Sequence, residues 1–182
     1  MNKHPPSPIP DPQSQVSNPQ SLIPNPSQVL VIGIGNEFRQ DDGVGVAVAR
    51  AIRAAALPGV EVCERSGEGT ALVAMWSDRP LVYVIDAISA GAPIGTIHRF
   101  EIPARDPGGT QLPTNSFRGT SHQIGLGEAI ELGRVLGQLP ARLVVYGIEG
   151  GAFGEGVGLS RGVEQAVVGV VGSICSDLIP SP

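Results

Sequence analysis

The stretch Val29-Leu-Val-Ile-Gly-Ile-Gly-Asn-Glu-Phe-Arg-Gln-Asp-Asp-Gly-Val-Gly45 restricts the chain to a small set of folds. Residues 28–34 form a continuous apolar run of buried-strand length, and Gly33 and Gly35 open a turn. Residues 43–56, rich in Val and Ala, read as a helix that Leu57-Pro58-Gly59 ends. Strand, turn and helix in this order belong to α/β proteins, which place their chemistry beyond the carboxyl ends of parallel strands. The charge of the turn is unusual for its type. A glycine turn here most often holds phosphate on backbone N–H groups, whereas Asp41 and Asp42 repel phosphate and attract a cation. The third glycine of a dinucleotide fingerprint is also missing, since Phe38 occupies its place. Only Glu64, at the end of the second expected strand, favours a nucleotide.

The rest of the chain repeats the alternation. Residues 60–64 read as a second strand, 69–77 as a helix with Trp76 packed on the sheet, and 80–86 as a third strand that stops on Asp86. A turn-rich connection over 87–95 is too short for a crossover helix, so 96–102, which carries His98, is expected as an antiparallel edge strand. Residues 103–120 read as a long functional loop. A helix over 121–138, broken by Pro140, follows with apolar positions at Ile124, Leu126, Ile130, Leu132, Val135 and Leu136. Then come a buried strand over 141–148, a flexible glycine-rich loop over 149–158 and a closing helix over 159–178. The order β-α-β-α-β-β-α-β-α predicts a three-layer α/β/α fold. Its sheet would be five-stranded and mostly parallel, with one antiparallel edge strand. Residues 1–27, dense in Pro, Ser, Asn and Gln, read as a disordered tail, and 28–179 as a single domain.

Composition removes several classes of function. Aromatic residues are 4% of the chain against 41% hydrophobic, so the core must be aliphatic, which suits parallel strands covered on both faces. With 12 Lys+Arg and a net charge of -5, the chain lacks the clustered basic residues of a nucleic-acid surface. Cys63 and Cys175 are widely separated and form no CxxC motif, which suits buried thiols in a reducing compartment. No run approaches a membrane span and the N-terminus has no secretory apolar region, so a cytoplasmic, soluble protein is expected.

The residues that carry chemistry lie at strand ends. Asp41 and Asp42 follow the first strand, Asp86 ends the third, and His122 stands at the start of a helix. In a parallel sheet these positions share one rim. Two carboxylates and an imidazole without thiolates suit a divalent metal with open positions. Each residue also has a local role to set beside this one. Asp41 reads as the N-cap of the first helix, Asp42 as a first-turn acid, Asp86 as the cap of a turn and His122 as a loop hydrogen-bonding group. A nucleophile is not evident: GxSxG is absent, and Cys63 has no His partner in view.

The first motif, Val-Ile-Gly-Ile-Gly-Asn-Glu-Phe-Arg-Gln-Asp-Asp-Gly-Val-Gly, resembles the opening motif of the nickel-iron hydrogenase maturation proteases. Val84-Ile-Asp-Ala87 resembles their second motif, Ser121-His122 the third, and Tyr146-Gly-Ile-Glu149 with the glycine-rich loop and Leu159-Ser160 the last. The resemblance implies a twisted sheet between two helical layers, phosphorylase/hydrolase-like, and an endopeptidase that trims the C-terminal extension of a hydrogenase large-subunit precursor. It places both catalysis and metal contact on Asp42, Asp86 and His122. The nickel would arrive with the substrate and no organic cofactor would be needed. The partner would be the precursor, with no nucleic acid and no membrane, and the protein would act as a monomer. Attack by a metal-polarised water and attack by a water activated by a carboxylate both fit. Gly150 and Arg161 replace prolines common in the family, which bears on the shape of the last loop. A non-catalytic metal- or nucleotide-binding α/β module is the alternative.

Overall fold

The computed structural model describes residues 29–66, 69–103 and 125–179. The expected tail, most of the expected loop over 103–120, and His122 lie outside these residues. Strands β1 (Val29–Ile34), β2 (Val60–Arg65), β3 (Leu81–Ile88), β4 (Ile97–Pro103) and β5 (Arg142–Glu149) form one sheet in the order β2-β1-β3-β5-β4. Helices α1 (Val44–Ala54), α2 (Gly69–Trp76), α3 (Leu126–Leu136) and α4 (Arg161–Leu178) complete the fold. All strand pairings are parallel except β4 with β5, so the expected architecture holds, including the antiparallel edge strand.

Alternation along the strands builds two cores. Leu30, Ile32, Val82, Val84 and Val145 pack with α2 and α3 on one face. Val29, Val31, Leu81, Tyr83, Ile85 and Val144 pack with α1 and α4 on the other. Trp76 is fully buried in the first core, as its position in the sequence suggests. Cys63 and Cys175 are free, half-buried thiols, one beside each core. Among the described residues no helix is long and apolar enough to cross a membrane.

Several boundaries differ from the sequence reading. β3 does not stop at Asp86 but continues to Ile88, because Ala87 and Ile88 keep pairing with Ile148 and Glu149 of β5. The helix expected from residue 121 is described from Leu126, with Gly125 at its N-cap. Its stop is Gly137, in left-handed conformation at φ 65°, rather than Pro140. Val135 and Leu136, expected on the apolar face, are 82% and 55% exposed, because Leu126, Ala129, Ile130 and Gly133 take the buried side of the helix.

Between β1 and α1 the chain makes a 3-10 turn, Gln40–Gly43. Helix α1 then runs unusually close to the sheet. A Cβ on Gly45 would collide with the carbonyl oxygens of Ile34 and Ile85, and one on Gly33 with the carbonyl of Gly45. Gly35, at φ 137°, lets the Asp42 carbonyl pass where a side chain would stand. These glycines shape a close approach, as the acidic turn leads one to expect, and they fix where residues 41 and 42 sit.

Candidate active site

β1 is the point where the sheet changes direction, with β2 on one side and β3 on the other. In open α/β sheets such a switch point leaves a crevice at the carboxyl ends of the strands. Asp42, in the turn after β1, and Asp86, near the end of β3, are placed there, and the 3-10 turn packs against β3. Asp42 is half-buried, and its Oδ2 accepts the Asn36 N–H at 3.0 Å. Asp86 is buried and shares the sheet face of Val82, Val84 and Ile88, which α2 and α3 cover.

The electrostatics bind the two carboxylates together. Burial pushes the Asp86 carboxyl up to about 7, helped by the negative charge of Asp42 and opposed by a backbone hydrogen bond at Ala87. Burial also raises Asp42, against the Asn36 N–H and the positive charge of Arg39. No ion pair to either carboxylate forms among the described residues. Two acids that share a partly dry crevice without an ion pair are unfavourable by themselves and become favourable when a cation binds between them. That is the observation by which a divalent metal fits this site. The described residues contain no complete cluster of three ligands, and His122, the third expected ligand, falls outside them. In the chain it precedes the helix that covers the Asp86 face.

Asp41 does something the sequence does not suggest. It is no helix cap, because α1 has Gly43 at its N-cap and no side-chain cap bond. Its fully buried carboxylate instead reaches across the molecule. Oδ2 accepts the N–H groups of Gly151 and Ala152 at 2.9 Å each, and Oδ1 accepts that of Ser160 at 2.7 Å. Ser160 is the N-cap of α4, so the charge also meets the positive end of an 18-residue helix. Burial works to raise this carboxyl, but the bonds from Ser160, Gly151 and Ala152 prevail and hold it below the ordinary range. The glycine-rich loop expected to be flexible is thereby fastened to the first motif. Gly150, where the family commonly has proline, donates its N–H to the Ile88 carbonyl at 3.0 Å, a bond that proline could not make.

Glu149 is a second buried acid that the sequence reading left without a role. Its Oε1 accepts the N–H groups of Ala90 and Gly91 at 2.8 and 2.7 Å, which fixes the turn leaving β3. Its Oε2 faces His98 Nε2 at 4.0 Å, and neither atom has a hydrogen-bond partner among the described residues. His98 is the partly exposed edge-strand residue expected, and its ring also faces the buried Glu149. The only hint in the sequence was a carboxylate ending an apolar strand.

Fold and crevice together define a three-layer α/β protein with a paired-carboxylate site at the switch point of its sheet. The chain belongs to the hydrogenase maturation protease family, whose model matches residues 46–177. It is 27% identical over 146 residues to the hydrogenase 2 maturation protease of Escherichia coli, covering 77% of this chain and 84% of that protein. It is 29% identical over 126 residues to the hydrogenase expression/formation protein HupD of Thiocapsa roseopersicina, covering 67% of this chain. There the chain spans only 54% of the relative's length. Among solved structures, the hydrogenase maturating endopeptidase HybD from E. coli superposes with a TM-score of 0.68 at 22% identity, covering 83% of this chain and 91% of that one.

Proposed function

We propose that this protein is an endopeptidase that removes the C-terminal extension of a nickel-iron hydrogenase large-subunit precursor. It would act in the cytoplasm, as a monomer, after nickel has been inserted into that precursor. The observation that supports this reading is the coupled pair Asp42 and Asp86 at the switch point, half-buried and buried, with no ion pair to either among the described residues.

Nickel is part of the substrate in this scheme. Asp42 and Asp86 would bind it from one side and His122 would supply the third ligand. Asn36 holds one oxygen of Asp42 and leaves the other free to bind. Asp86 holds its proton up to about pH 7 and would lose it to solvent as the cation binds. A precursor without nickel gives these carboxylates nothing to bind, so cleavage is confined to loaded substrate. Bound there, the nickel would supply Lewis acidity toward the scissile carbonyl or the attacking water. Water would add to that carbonyl while giving a proton to a carboxylate of the site, and that proton would pass to the amine as the C–N bond breaks.

Isothermal titration with divalent nickel and with NAD tests the site. Nickel binding that weakens in Asp42→Asn and Asp86→Asn supports the reading. Tight NAD binding would overturn it in favour of a nucleotide-binding module.

A further inference from the structure

We infer that Phe38 and Val157 form an apolar pair that grips the substrate, held in place by the buried Asp41 carboxylate. Its occupant is an extended segment of the precursor polypeptide that carries an apolar side chain. This inference rests on the endopeptidase reading above.

The two residues are distant in sequence and are brought together by backbone bonds. Arg39 pairs with Gly156 in a single parallel rung. The Gly156 N–H donates to the Phe38 carbonyl at 2.9 Å, and the Gln40 N–H donates to the Gly156 carbonyl at 3.0 Å. The result leaves Phe38 66% and Val157 74% exposed, on segments otherwise fastened down. Neither side chain belongs to a core, so folding does not need them. Large apolar groups presented together on a rigid surface point to a partner.

The pair overlooks a trough. Phe38 lines one cavity of about 310 Å³ and Val157 another of about 160 Å³, and the two share Glu37, Val46 and Arg50. Charge decides what fits. The charges that line the trough balance, Glu37 and Glu64 against Arg50 and Arg65, and Arg50 is held by both acids, so the trough offers no net charge to an ionic group. An uncharged, apolar side chain is the complementary occupant. Continuity decides which molecule brings it. Asn36 lines the larger cavity while its N–H holds the Asp42 carboxylate, so a chain crossing the candidate site runs directly into the trough.

Asp41 is the positioning residue in this arrangement. Its three accepted N–H bonds fix both ends of the loop that carries Val157, and its chain neighbour is Asp42. Asp41→Asn must turn an NH2 group toward at least one of the same donors, which loosens the loop without removing a side chain's volume.

The test is the processing of nickel-loaded precursor, followed by mass spectrometry, with Phe38→Ser, Val157→Ser and the double variant. Loss of an apolar anchor is expected to raise KM about tenfold in the double variant, with kcat within about twofold. Nickel titration of that variant should be unchanged. Asp41→Asn should raise KM and speed hydrogen exchange over residues 151–158. A wild-type enzyme that cleaves, with KM unchanged in the double variant, overturns the inference while the endopeptidase reading stands. If the wild type does not cleave, that reading fails; unchanged affinity of the double variant for the precursor then overturns the pair as well. A concentration-dependent dimer that the double substitution dissolves would assign the pair to a second copy of this chain, which also overturns it.

Discussion

Replacing Asp86 by Asn should make the protein more stable at high pH while destroying its site. The ordinary aspartate value is 3.8, and in the fold this carboxyl stands at about 7. The folded state therefore keeps a proton that the unfolded chain has already lost, and stability falls as pH rises between these values. At about 1.4 kcal/mol for each pH unit, the gap amounts to about 4 kcal/mol at pH 8 and about 2 kcal/mol at pH 5. Asn has nearly the same shape and does not titrate. Urea unfolding of wild type and Asp86→Asn at both pH values is the assay. The stability of the variant relative to wild type should improve by about 2–3 kcal/mol from pH 5 to pH 8. A difference that stays constant with pH would refute the reasoning, because Asp86 would then not be held protonated by burial and by Asp42.

Other consequences can be measured in the same way. Asp41→Ala takes the acceptor from three part-buried N–H groups and should cost about 3 kcal/mol in urea unfolding. Because the Asp41 carboxyl is held below its ordinary value of 3.8, the stability it contributes is present above that pH. It should be lost as pH falls through the lowered folded value, seen as an acid limb absent from the variant. Gly45→Ala should cost at least about 3 kcal/mol or prevent folding, because the new methyl collides with the Ile34 and Ile85 carbonyls rather than with a side chain that can move. Nickel affinity, read by titration calorimetry, should weaken as pH drops below 7, since Asp86 must lose its proton to bind.

The architecture was readable because each strand is an apolar run and each break carries Gly or Pro. Local signals of this kind do not depend on the rest of the chain. Asp42 and Asp86 were readable for a related reason: an acid at the edge of a buried run is costly unless it is used. Asp41 was not readable. As an acid before a helix it looked like a cap, and its true partners lie 110 to 119 residues away, brought near only by the completed sheet. The end of β3 was misplaced because Asp86 interrupts the apolar run, whereas backbone pairing with β5 continues past it. The Glu149–His98 contact crosses between β5 and β4, and no spacing along the chain foretells it. Val135 and Leu136 show the opposite error, since apolar residues at plausible helical positions do not say which side of the helix meets the sheet.

One comparison tests the central claim most directly. Nickel-loaded and nickel-free large-subunit precursor are each incubated with wild type and with Asp42→Asn, and the products are weighed by mass spectrometry. The account predicts release of a C-terminal peptide only from loaded precursor and only by the wild type. Equal cleavage of nickel-free precursor, or full cleavage by folded Asp42→Asn, would contradict it.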